Sequence, residues 1–238
     1  MHSSLKKIGV AEDGSATVIN ALLETLGSEG TLAMPAFSIR GSMYETVLRT
    51  DEVFDPQASP ITVGKIPSVF GQWKNAQRSI HFTHSIVAVG KLAKEITHGH
   101  YEQVTVFGSG TPFDRLLNAN VKIVGLGVGV HPVTFYHTFE DFNPELFPGV
   151  YHPHKFSVKL KVDSEIVIRE QFAHNAGFYN RRIDKNPEIE SCIRKHMLQS
   201  GKMRTGTVGD ASSWWMYGRD FMDELMNLYK NGKTIYKV

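Results

Sequence analysis

Cysteine is nearly missing from this sequence: Cys192 is the only one among 238 residues. A single thiol closes no intramolecular disulfide, so a reducing compartment, the cytoplasm, is the expected setting. Charge of one sign is not in excess either. The 26 lysines and arginines stand against 24 aspartates and glutamates, a balance that gives no basic footprint for nucleic acid. No apolar run approaches the roughly 18 residues that cross a bilayer, and no basic-then-apolar signal opens the chain, so no membrane partner is expected. There are eleven histidines, yet neither C-x-x-C nor H-E-x-x-H occurs, and no metal is expected. The dinucleotide fingerprint also fails. Gly125, Gly127 and Gly129 are spaced G-x-G-x-G with no helix start behind them.

What the chain does have is a run of alternating elements. In "SATVINALLETLG", Val18, Ile19, Leu22, Leu23 and Leu26 recur at helical spacing, Gly27 stands as the stop, and Asp13 or Ser15 is placed to cap the start. "GTLAMPAFS" reads as a short buried strand, "SIVAVG" as another with the helix "KLAKEIT" behind it, and "NVKIVGLGVG" as the best buried strand. Strands alternating with helices predict an α/β fold, a central mostly parallel sheet covered by helices. Past residue 150, Phe156, Val158, Leu160 and Val162 alternate with polar residues, "DS" follows, then "EIVIREQF". That predicts an added antiparallel hairpin near residues 155–172. Two amphipathic helices close the chain, one burying Ile189, Cys192, Ile193 and Met197, the other Phe221, Leu225 and Leu228. Residues 41–66 read as a long irregular insert, a surface loop or a lid.

Three stretches carry candidate chemistry. "VTFYHTFED" puts His137 three residues before Glu140. If a helix begins near Thr134, both lie on one face. A carboxylate fixes an imidazole's tautomer and strengthens it as a base, but a helix-start carboxylate beside a partly exposed histidine fits the spacing equally well. "RSIHFTHS" gathers His81, His84 and several hydroxyls before a strand, where satisfying turn backbone is the commoner use. "MHSSLKKIG" offers paired serines that are able to hold phosphate at a turn.

Taken in order, these segments resemble the aminoglycoside 3-N-acetyltransferase family, part of an antibiotic N-acetyltransferase superfamily not built on the common acetyltransferase fold. The likeness is carried by "MHSSL", "NALLETLG", "GTLAMPAFS", "FDPQASP", "RSIHFTHSIVAVG", "FGSGTPF", "GVGVHPVTFYHTFE" and "GKMRTGTVGDAS", which run over nearly the whole chain. Four departures stand out. The family carries a helix and a strand before the first motif, and this sequence opens inside it. Phe82 replaces a proline, Thr111 a serine, and His131 an aspartate.

The resemblance implies one acetyltransferase domain over residues 1–238, moving an acetyl group from acetyl-CoA to an amine of an aminoglycoside or amino sugar. His137 would serve as base with Glu140 as its partner. Ser3, Ser4, Leu5, Pro35, Phe37 and Ser38 would hold the cofactor, and Asp55, His81, His84 and Ser85 would face the acceptor. The hydroxyl of Ser38 or Ser85, or backbone N–H groups, would stabilise the oxyanion. The implied partners are the small-molecule amine and coenzyme A, with a homodimer left open. The alternative is a non-catalytic relative that binds coenzyme A or a sugar.

Overall fold

The computed structural model describes residues 1–236. Its strands are β1 (His2–Ser3), β2 (Thr31–Pro35), β3 (Val53–Phe54), β4 (Gln77–Arg78), β5 (Ile86–Gly90), β6 (Lys122–Leu126), β7 (Phe156–Val162), β8 (Glu165–Gln171), β9 (Arg204–Val208) and β10 (Ala211–Tyr217). Its helices are α1 (Leu5–Ile8), α2 (Ser15–Leu26), α3 (Met43–Val47), α4 (Lys65–Phe70), α5 (Ala93–Thr97), α6 (Pro112–Asn118), α7 (Phe135–Phe142), α8 (Ala176–Tyr179), α9 (Pro187–Gln199) and α10 (Gly218–Lys230).

The α/β class holds, but the strands form three sheets, two mixed and one antiparallel, rather than one mostly parallel one. The orders are β1-β6-β10-β9, β2-β5-β4 and β3-β7-β8. Parallel pairing is confined to two short pairs, β1 with β6 and β3 with β7. The other pairs run antiparallel. A continuous apolar run signals burial on both faces and says nothing of the neighbour's direction. The predicted hairpin is β7–β8, paired from Phe156↔Gln171 to Val162↔Glu165. Its inward residues Val158 and Leu160 are buried. A second hairpin, β9–β10, had no counterpart in the periodicity, because β9 is exposed along its whole length.

Helix α2 ends at Gly27, whose φ of 63° lets its N–H reach the Leu23 carbonyl at 3.0 Å. Its start is not capped by a side chain. Gly14 takes the N-cap, and the Asp13 N–H donates to Thr17 Oγ1. In α9, Ile193 and Met197 turn inward while Cys192 stays exposed. The 41–66 stretch is not irregular. It carries α3, with a complete Ser42–Glu45 capping box, then β3 and the first residues of α4. Met43, Val47 and Phe54 from this stretch are buried in the main core.

Two glycines explain the G-x-G-x-G run without a ligand. A Cβ at Gly125 would meet the Trp214 indole at 2.3 Å, and Gly127 turns at φ 66° against Lys7 and Ala211. The buried Trp214 donates its indole N–H to the Val128 carbonyl at 2.9 Å. That bond fixes the loop leading from β6 into α7.

Candidate active site

Helix α7 follows this loop, with Thr134 at its N-cap. Phe135, Tyr136 and Phe139 pack into the core. The residues at i and i+3 on the remaining face are His137 and Glu140, and both are buried. His137 Nδ1 and Glu140 Oε2 lie 2.8 Å apart. On the other edge of the ring, Arg182 NH1 is 3.2 Å from Nε2. A guanidinium only donates, so Nε2 carries the lone pair there and Nδ1–H donates to Glu140. The Tyr236 hydroxyl donates to the second carboxylate oxygen at 2.5 Å. Arg182 is held in turn by the buried Asp184, through Nε at 2.9 Å and NH2 at 2.5 Å, and by the His131 carbonyl at 3.1 Å. A single β-bridge, Arg182↔Tyr236, carries the groups that grip the pair from both ends.

Burial sets the electrostatics. It holds the His137 imidazole well below its ordinary value, and the Arg182 charge adds to the effect. It pushes Glu140 up to about 7, against the pull of His174, Tyr236 and Arg182. The step near neutrality therefore belongs to the pair with Glu140 as its titrating member, not to an imidazole near 6.5. His174, with its ring 4.6 Å from His137, is held down to about 3 by burial. His137, Glu140 and His174 bring ligand atoms within 4.8 Å of one another. A metal there would compete with the hydrogen bonds on both His137 nitrogens and with the Arg182 charge.

His137 opens onto a cleft of about 250 Å³, lined by Phe37, Met43, His84, Tyr179 and Lys185 among others, while Glu140 behind it lines a separate cavity with Tyr136 and Tyr236. Of the predicted residues, His137, His84 and Phe37 meet here, with Glu140 directly beneath. The rest do not. Arg78 gathers Ser85 Oγ at 2.9 Å, Ser38 Oγ at 2.9 Å and the carbonyls of Ala36 and Ser59, both at 2.6 Å. The Ser85 and Ser38 hydroxyls donate to the Ala36 and Pro60 carbonyls, so neither is free for an oxyanion. His81 is fully buried, accepting from the Thr83 and His84 N–H groups at Nδ1. Asp55 pairs with Lys161 at 2.8 Å and lines a different cavity, with Pro35 in yet another.

Near the start of the chain, Ser3 Oγ is buried without a hydrogen-bond partner, and Ser4 is the N-cap of α1 with no side-chain cap bond. Such unspent hydroxyls fit a phosphate-bearing ligand. Leu5 opens that helix. The sequence reading missed Arg182, Asp184, His174 and Tyr236. The one signal was the R-x-D spacing in "RRIDKNP".

A histidine–carboxylate pair thus sits at the floor of a cleft on an α/β scaffold. Residues 1–230 match the aminoglycoside 3-N-acetyltransferase family. The chain is 31% identical to aminoglycoside N(3)-acetyltransferase III of Serratia marcescens over 237 residues, 93% of this chain and 86% of that one. Its fold is that of AAC-VIa, solved bound to sisomicin (TM-score 0.78, 22% identity, 98% of this chain and 90% of that one). It is equally that of AAC-IIIb, solved as a binary complex with CoASH (TM-score 0.76, 20% identity, 100% and 91%). This chain belongs to the aminoglycoside 3-N-acetyltransferase family, and it is an N-acetyltransferase.

Tyr236 gives the first prediction. Its hydroxyl stabilises the charged form of Glu140, and a hydrogen bond to a charged group is worth about 1.5–3 kcal/mol, or about one to two pKa units. In Tyr236→Phe, the acid limb of kcat/KM is expected to move up by about that much, with the rate recovering at high pH. An unshifted limb would leave Tyr236 with a packing role only.

Proposed function

We propose that His137 is the general base for acetyl transfer to one amine of an aminoglycoside or amino sugar, and that Glu140 holds and charges it. The observation that carries this reading is the 2.8 Å contact between Nδ1 and Glu140, with Nε2 turned toward the cleft. An ammonium group first gives one proton to solvent. The neutral nitrogen then takes the place of Arg182 NH1 at Nε2. As the C–N bond forms at the thioester carbon, Nε2 accepts the second proton. The imidazolium is stabilised by ionised Glu140, and it returns the proton to the departing coenzyme A sulfur as the C–S bond breaks. Activity should therefore rise with pH through about 7, where burial places Glu140.

The cofactor is proposed to lie across Ser3, Ser4 and Leu5 toward Phe37. The orphaned Ser3 hydroxyl supports its pyrophosphate end. Coenzyme A should raise the melting temperature. Ser3→Ala with Ser4→Ala should weaken its binding by about tenfold or more, since each bond to a charged group contributes at least about 1.5 kcal/mol. Unchanged affinity in calorimetry would return the serines to a structural turn. The exposed thiol of Cys192 supports a cytoplasmic setting. A homodimer would find its apolar face at Ile166 and Ile168, both exposed on edge strand β8.

A further inference from the structure

Acetyl transfer needs a donor for the oxyanion, and the Ser38 and Ser85 hydroxyls are already engaged. We infer that His174, with its proton on Nε2, donates the hydrogen bond that holds the oxyanion of the tetrahedral intermediate. This deepens the acetyltransferase reading above and rests on it. Of the side chains that line the cleft, only His174 has a buried polar atom, Nε2, with no hydrogen-bond partner among the described residues. Leaving such an atom unpaired costs stability, and a substrate oxygen that completes the bond removes that cost. His174 is also held in place. A bridge to Tyr151 fixes its backbone, and its backbone N–H donates to Met43 Sδ at 3.4 Å. The rings of Tyr151 and Phe107 pack against its own at 5.0 Å and 5.6 Å. A donor fixed in advance needs no rearrangement when charge develops.

The His174 ring stands 4.6 Å from that of His137. A carbon attacked by an amine at His137 Nε2 therefore has the second imidazole beside it. The lone-pair role there belongs to His137, and what the site lacks is a donor. Burial holds His174 down to about 3, so at working pH its ring is neutral and carries one N–H. A neutral donor sets no positive charge against the imidazolium that forms on His137. As the C–N bond forms, the carbonyl π pair moves onto oxygen, and His174 Nε2–H donates to it. When the C–S bond breaks, that pair closes the carbonyl again. His174 keeps its proton throughout; the proton that moves is the one on His137.

The test compares kcat and the amine's KM for His174→Leu, His174→Asn and His174→Gln with wild type, each checked for folding by its coenzyme A melting shift. Leucine removes the donor, asparagine reaches only the place of Nδ1, and glutamine carries an N–H to the place of Nε2. His174→Leu and His174→Asn should lose about 10²–10³-fold in kcat, the range for one oxyanion donor, with KM nearly unchanged. His174→Gln should recover about tenfold or more of that loss. Glutamine cannot act as a base, so the recovery would separate His174 from proton transfer. Should His174→Leu fail to fold, the asparagine and glutamine pair decides alone. Wild-type kcat in His174→Asn would overturn the inference and leave Arg182 NH1 as the donor. So would His174→Gln as slow as His174→Asn, or a raised KM with kcat kept, which would put Nε2 on the amine instead. A wild-type protein that binds coenzyme A but acetylates no amine would remove the acetyltransferase reading, and this inference with it.

Discussion

Replacing His137 with asparagine should lower kcat by about a hundredfold or more, the range for loss of a general base, with coenzyme A affinity unchanged. Asparagine keeps a hydrogen-bonding group against Glu140 but cannot take the amine's proton. Glu140→Gln separates orientation from proton transfer. Glutamine still accepts from Nδ1–H, yet it leaves the imidazolium without its counter-charge in a buried site. The loss should be smaller if Glu140 only orients the ring, and equal if it receives the proton. In both cases Glu140→Gln should abolish the acid limb near pH 7, because the group that burial raises to about 7 is gone. The coenzyme A melting shift serves as the control for folding. A His137→Asn protein that acetylates at the wild-type rate would make His137 structural and pass the claim to His84, which shares the cleft.

Acid should unfold this protein well above the range where exposed carboxylates titrate. His81, His84, His100, His137 and His174 are all buried, and burial holds every one below its ordinary value, His100 and His174 to about 3. For a group whose folded pKa is depressed, stability is present above the unfolded pKa of about 6.5 and lost as pH falls below it. Glu140 and Asp141, both pushed up to about 7 by burial, act in the opposite sense. They take up protons in the folded state first, and so stabilise it as pH falls from about 7 toward their unfolded values near 4. With His2, which burial holds down to about 3, these imidazoles outnumber the two carboxylates, so the unfolded chain binds more protons and stability falls as pH drops below about 6.5. Thermal melts followed by circular dichroism from about pH 7.5 to about pH 5 should show a steep fall below 6.5. An equal melting temperature at both ends would mean that these histidines find protons or partners in the folded state.

The histidines also show what a sequence can and cannot reveal. His137 and Glu140 were legible because three residues on a helix is a fixed geometry, and Thr134 marked the start. The hairpin β7–β8 was legible from alternation, and α2 from its spacing and Gly27. The groups that complete the site were not. Arg182, His174 and Tyr236 come from two isolated bridges, Tyr151↔His174 and Arg182↔Tyr236, where no period exists to betray them. Their value lies in contacts across tens of residues. The hydroxyls of "RSIHFTHS" failed for the converse reason. A serine that binds a ligand and one that satisfies Arg78 look alike in sequence, and only the three-dimensional arrangement separates His84 from Ser85. Strand direction was lost in the same way, since apolar runs encode burial but not the neighbour.

The account stands most directly on one reaction: protein, acetyl-CoA and a set of amino sugars and aminoglycosides, read by mass spectrometry beside the His137→Asn protein. It predicts an amine carrying one added acetyl group and an equal amount of free coenzyme A, with the product almost absent from the variant. Bound coenzyme A with no acetylated amine in either reaction would contradict it, and would make this chain a binding protein rather than an enzyme.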